Sequence, residues 1–268
     1  MGNHKCGYVN YNIPTYPLYR FIANHFVDYC CPMIISFINQ KGGVGKTTLS
    51  INVSACLANR GNRVLLIDAD KQGSASTWAS LREDTPFQVI SMARENMAKD
   101  AMKLGQQYDY TIIDAPPHAE AISRSCIIAS DFVVLPIEPS GLSTWASDLT
   151  IRQFRAARDM KQTLKCGFVV SRKIGKTVIG RDIRSMADEV AMADVGGSME
   201  DSGISILASD IENRVAFAES ITMGKTIFEW APSSLASLEI ENLTKEILSY
   251  VKEDVQYSAE TEVQSTVA

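Results

Sequence analysis

The run Gln40-Lys41-Gly42-Gly43-Val44-Gly45-Lys46-Thr47-Thr48 is made of residue types that bind phosphate. Glycines let backbone N–H groups turn toward phosphate oxygens, and a helix that starts where such a loop ends adds positive potential. At this spacing the Lys46 ammonium reaches the β- and γ-phosphates of a nucleotide, and the Thr47 hydroxyl holds Mg²⁺. Gly42, Gly43, Val44, Gly45 and Thr48 complete the cradle. The pattern G-x-x-x-x-G-K-[ST] is not fully met: its first glycine position is Gln40, and a second lysine, Lys41, opens the loop. Two further segments supply acids. Leu65-Leu66-Ile67-Asp68-Ala69-Asp70 sets two carboxylates at i and i+2 just past an apolar run, a spacing that aims both into one crevice. Tyr110-Thr111-Ile112-Ile113-Asp114-Ala115-Pro116-Pro117 is an apolar strand ending in an aspartate that can hold Mg²⁺ through water. Cradled phosphates, a held metal and a placed water are the parts of phosphoryl transfer to water.

These groups need elements to position them. Met33–Ile38 reads as a buried strand before the loop, and Leu49, Val53, Cys56 and Leu57 share one face of a helix after it. Further strand-like runs are Val64–Ile67, Phe87–Ile90, Tyr110–Ile113, Phe132–Pro136, Gly167–Val170 and Ile204–Leu207. Helical patterns lie between and after them, at about 47–60, 73–83, 93–104, 118–129, 142–160, 178–195, 211–223 and 234–252. Gly61 sits where a helix stop belongs. Parallel strands need crossovers, so this alternation predicts an α/β fold with a doubly wound, mostly parallel sheet flanked by helices. With the loop in place, that is a P-loop NTPase.

The chain has 268 residues, 46% hydrophobic and 21% charged, enough for one large domain. That domain is predicted over 33–252. Residues 1–32 hold five of the nine tyrosines and three prolines without helical or strand period, and read as a flexible extension or a mispredicted start. Residues 253–268 carry four acids and few large apolar groups, and read as a disordered tail. No apolar run approaches the roughly 20 residues that span a membrane, and no signal peptide is evident. Six cysteines form no C-x-x-C pair and read as reduced thiols in a cytosolic protein, and the three histidines are scattered. The formal charge of −5 leaves nucleic-acid contact to a local patch. The most basic stretch, 171–184, supplies Arg172, Lys173, Lys176, Arg181 and Arg184 against one acid, as a rim able to contact DNA phosphates.

KGGVGKTT resembles the deviant Walker A motif of the ParA/MinD family of ATPases. The D-x-D segment with Gln72-Gly73, the D-x-P-P of Asp114–Pro117 and the late Gly224-Lys225 turn resemble the same family, over about residues 33–250. The likeness is to small ParA-type partition ATPases that lack an N-terminal helix-turn-helix domain. It implies that Asp70 positions the attacking water and Asp68 supports the magnesium shell. It implies too that Lys41 acts across an ATP-sandwiched homodimer on the partner's phosphates. Arg214 falls near a family position that contacts DNA, and Lys245 is a weaker candidate. Such proteins bind nonspecific DNA as ATP dimers, are cytoplasmic and nucleoid-associated, and are released by a ParB-like or other cargo-adaptor protein that stimulates hydrolysis. Lys71 departs from the family, which has proline there. A MinD-like membrane relative would need a basic amphipathic C-terminal helix, whereas this end is acidic. An iron–sulfur relative would need cysteines placed to bridge a dimer. A metabolic ligase or kinase on the same fold would need a second substrate site.

Overall fold

The computed structural model describes residues 32–139, 141–173 and 202–267, with backbone alone at 141–148 and 252–267. The predicted helix at 178–195 lies outside the described residues, as do Lys176, Arg181 and Arg184. The chain divides into Met1–Cys31 and Pro32–Ala268. The second unit contains β1 (Met33–Phe37), β2 (Val64–Asp68), β3 (Gln88–Ser91), β4 (Tyr110–Asp114), β5 (Phe132–Ile137), β6 (Lys165–Lys173) and β7 (Ile204–Glu212). Its described helices are α1 (Lys46–Ala58), α2 (Ser74–Ser80), α3 (Ala98–Gly105), α4 (Glu120–Ala129), α5 (Gly141–Arg158), α6 (Val215–Thr222), α7 (Ile227–Trp230) and α8 (Leu235–Val267).

All seven strands pair parallel, in the order β3-β2-β4-β1-β5-β6-β7. Every strand-like run becomes a strand, and β6 and β7 extend well past their apolar segments. β7 lies at the sheet edge and is only partly buried, so polar residues carry its second half. The helix expected from 211 starts at Val215, because β7 occupies the chain to Glu212. α7 was not foreseen, although its signal is local: the Thr226 hydroxyl accepts from the Glu229 N–H, and the Glu229 carboxylate accepts from the Thr226 N–H, a capping box. The backbone of α8 stays helical to Val267, past the predicted onset of a disordered tail at 253. That segment holds no glycine or proline to stop it.

The topology places a crevice at one end of the sheet. β1 leads through α1 to β2, and the adjacent β4 leads through α4 to β5 on the far side of β1. The two connections leave neighbouring strands in opposite directions, and ligands bind at such switch points, outside the strands' carboxyl ends. Phe37 and Asp68 are both register partners of Asp114, so the phosphate loop and two of the acids leave the sheet at one level.

α1 is enclosed on nearly every side. Beyond the predicted face of Leu49, Val53, Cys56 and Leu57, it also buries Lys46, Ser50, Ile51, Asn52, Ser54 and Ala55. Its polar side chains are satisfied locally: Ser50 donates to the Lys46 carbonyl, Ser54 to the Ser50 carbonyl and Asn52 to the Thr48 carbonyl. The Asn52 carbonyl oxygen also accepts from the Ile227 N–H at 2.7 Å, tying α1 to α7. Gly61 ends this stretch with φ 85°, its N–H bonded to the Ala58 carbonyl. On the other face, Ile34, Leu65, Ile67, Ile113, Val133 and Leu135 of the sheet pack with residues of α3, α4 and α5. Each large side chain buried there contributes about 1.5–3 kcal/mol. Cys56, Cys126 and Cys166 are buried free thiols.

Candidate functional site

The phosphate loop leaves β1 and turns through Gly43 (φ 80°) and Gly45 (φ 93°), left-handed conformations that glycine adopts without strain. Gly45 is the N-cap of α1, and no side chain caps that end. The first N–H groups of the helix are therefore available to an anion. A Cβ on Gly45 would stand 3.0 Å from the Ser171 Oγ, whereas Gly42 faces open space. Val44 is fully buried and anchors the loop. Lys46 is 6% exposed, and its Nζ donates to the Lys41 carbonyl across the loop at 2.9 Å. Desolvation pushes the Lys46 ammonium below its ordinary pKa, against the attraction of Asp114 and Asp70. A cation held this dry, and sharing its neighbourhood with acids, is prepared to bind phosphate oxygens.

Thr47 Oγ1 donates to Asp114 Oδ2 at 2.6 Å, joining loop to strand end. Asp114 is almost wholly buried. Its pKa is raised to about 7, chiefly by desolvation and also by Asp68, although the Thr47 bond opposes the shift. Among the described residues, no three His, Cys, Asp or Glu side chains form a metal cage. Mg²⁺ suits such a place, since it takes one or two protein oxygens together with phosphates and water. Thr47 and Asp114 offer a hydroxyl and a carboxylate already side by side, and a divalent charge would favour the ionised carboxylate.

The raised pKa has a testable sign. In metal-free protein Asp114 keeps its proton when folded at pH values where the unfolded chain has lost it. Its contribution to stability is thus greatest below about pH 4 and falls as pH rises toward 7. The melting temperature of the native chain minus that of D114N is expected to drop across that window and to level off above it. A difference that does not vary with pH would show that Asp114 titrates normally.

The other two acids both lie close enough to Asp114 to raise its pKa, as their spacing suggests, but they differ in surroundings. Asp68 is fully buried, and its oxygens accept from the Asp70 N–H (3.1 Å) and the Ser76 N–H (2.8 Å). It shapes the loop that carries Asp70. The chain turns directly after Asp68 to enter α2. Asp70 is half-buried and accepts from the Gln72 N–H. It opens onto a cavity of about 320 Å³ with Lys71, Glu95, Pro116, Pro117 and Glu120.

The second lysine is held within its own chain. Lys41 Nζ donates to Glu138 Oε2 at 2.8 Å, just after β5. Arg172 comes to the same place from β6: it donates to the Gly43 carbonyl at 2.6 Å and lies 3.4 Å from Glu138 Oε1. Arg172 thus contacts the phosphate loop, while the neighbouring Lys173 pairs with Asp210. Arg214 pairs with Glu239 (2.6 Å) and Glu212 (2.9 Å), and Lys245 lies 3.8 Å from Glu241. Sequence reading missed Ser171, Asn213 and Phe217. With Gly43, Gly45 and Thr48 they line a cavity of about 150 Å³ beside the loop. Ser171 reaches it from the end of β6, Asn213 from just past β7 and Phe217 from α6.

A family model described as "AAA domain" matches residues 32–97 and 79–165. The chain is 30% identical over 220 residues to maintenance of carboxysome distribution protein A from Halothiobacillus neapolitanus, covering 80% of this chain and 95% of that protein. This chain belongs to the ParA/MinD family of ATPases. Its likeness to the chromosome-partitioning ATPase Soj of Thermus thermophilus is 27% over 252 residues, covering 82% of this chain and 96% of that one. The fold matches MinD with Mg-ADP from Pyrococcus horikoshii at TM-score 0.62 and 18% identity, covering 80% of this chain and 95% of that one. It matches the ATP complex of Cyanothece McdA at TM-score 0.61 and 18% identity, covering 82% and 97%. The protein is an ATPase that uses ATP and Mg²⁺. Lys46 and the α1 N-terminus would hold the phosphates, and Thr47 and Asp114 the metal, whose role is to neutralise charge developing on the transferred phosphoryl group.

Proposed function

We propose that this ATPase partitions DNA or positions a cell's cargo as an ATP-dependent homodimer on nonspecific DNA. A ParB-like or other cargo-adaptor protein releases it by stimulating hydrolysis. The observation that carries this reading is Lys41. Lys46 already serves the loop's own phosphates, while Lys41 stands at the loop's opening, 29% exposed. A second loop cation that can act on a partner's nucleotide couples dimerisation to ATP. Within one chain, Asp70 would position the attacking water, Asp68 would hold Asp70's loop and support the metal's water shell, and Lys46 would stabilise charge on the terminal phosphate. Relatives named for carboxysome distribution and chromosome partitioning support the positioning role. Among the described residues no helix is long and apolar enough to cross a membrane. We take the site of action to be the cytoplasm, on the nucleoid, with 33–252 as the ATPase unit.

DNA contact would involve Lys173, Arg214 and Lys245, with Lys176, Arg181 and Arg184 from the segment outside the described residues. The acids paired with the first three must yield to phosphate, which suits a switched surface. Binding to nonspecific duplex DNA with ATP, ADP or no nucleotide, across a salt series, tests the reading. The expected result is binding with ATP alone, with log K falling against log salt with a slope of roughly −4 to −5 for about five neutralised phosphates. Binding in no nucleotide state would overturn it and favour a membrane-bound or metabolic ATPase.

A further inference from the structure

Glu138 directly follows β5 and faces the phosphate loop, with a cation at each of its oxygens. Oε2 accepts from Lys41 at 2.8 Å, and Oε1 lies 3.4 Å from Arg172. Its side chain is 21% exposed, and those of Lys41 and Arg172 are 29% and 49% exposed. One carboxylate thus gathers two cations, one from the loop itself and one from β6. Arg172 also holds the Gly43 carbonyl at 2.6 Å, so the loop's turn, the arginine and the carboxylate form one connected unit. The arginine reaches this position from a left-handed backbone, φ 55°, a conformation that strains a non-glycine residue. Strain of that kind persists where surrounding contacts enforce it, and here those contacts are the Gly43 carbonyl and Glu138.

We infer that Glu138 is a positioning residue of the ATPase, a resident counter-ion that holds Lys41 and Arg172 against the loop and yields them to the nucleotide's phosphates. A carboxylate next to a phosphate site repels the ligand and competes for its cations. Binding must therefore exchange the Glu138 contacts for phosphate contacts. The exchange sets how tightly nucleotide is held, and it sets the nucleotide concentration at which Lys41 becomes available. The last step rests on the dimer reading above; the competition for nucleotide does not.

The test is E138Q, which keeps the shape of the side chain and removes its charge, with E138D as the charge-retaining companion and a thermal melt of each as a folding control. Fluorescent ADP binding is measured first, since it does not require a dimer. E138Q is expected to bind ADP and ATP about three- to tenfold more tightly at low salt, with the gain shrinking as salt is raised. E138D is expected to stay close to the native affinity. In a K41A/R172A background the gain from E138Q is expected to be largely lost, because the carboxylate then has no cations to withhold. Unchanged or weaker binding by folded E138Q would overturn the inference, as would an equal gain in the K41A/R172A background. The half-saturating ATP concentration for dimerisation is read separately. A native chain that never dimerises, together with tighter ADP binding by E138Q, would sink the dimer reading and leave Glu138's role intact. A native chain that dimerises, with E138Q affinity unchanged, would do the reverse.

Discussion

Lys46→Gln is expected to reduce ATP affinity on the order of 10²- to 10³-fold, the effect of truncating one partner of a buried charge pair. Lys46 is 6% exposed and already bent over the loop to the Lys41 carbonyl, so little solvent competes for it when phosphate arrives. A glutamine amide fills similar space and donates hydrogen bonds but carries no charge to oppose the phosphates. The loss should therefore fall on nucleotide binding and not on folding. Titration calorimetry with ATP checks the first, and a melting curve without nucleotide checks the second. Near-native affinity in a folded variant would refute the assignment of the loop.

Asp70→Ala is expected to leave ATP binding near native while lowering the hydrolysis rate by about 10²–10⁴, the range for removing a group that handles the reacting water's proton and orientation. Asp70 opens onto the 320 Å³ cavity, whereas Asp68 beneath it is committed to the backbone of the loop. The two acids should therefore separate in experiment. Loss of Asp70 removes chemistry from an intact fold; loss of Asp68 takes the acceptor from two part-buried N–H groups and should lower stability as well. Single-turnover hydrolysis, with nucleotide binding measured in parallel, distinguishes the cases. Native turnover in D70A would move the water-positioning role to another residue.

What could be read in advance was local. Gly43, Gly45, Lys46 and Thr47 follow one another in the chain, and Asp114 ends a strand whose neighbours are fixed by parallel pairing. Their meeting at the crevice follows from strand order once the loop is recognised. The i, i+2 spacing of Asp68 and Asp70 brings both near Asp114, but it does not show that the turn into α2 ties Asp68 to the loop's backbone and leaves Asp70 open to the cavity. Glu138, Arg172 and Asn213 reach the loop from strand ends, and Phe217 from α6, 90 or more residues away (the Lys41–Glu138 bond spans 97). Only the sheet order β1-β5-β6-β7 brings them together. Arg172 looked like one cation in a basic run, because sequence counts charges without showing which way a left-handed residue sends its side chain.

The enclosure of α1 limits how the molecule can report what it has bound. A rod wedged between sheet and neighbouring helices, and pinned to α7 through Asn52, cannot tilt without opening the hydrophobic interior. The presence or absence of one phosphate must therefore be announced by the rim: the Asp70 loop, the Pro116-Pro117 turn and the end of β5 at Glu138. The helix works as a fixed anvil, and the message travels through what strikes it.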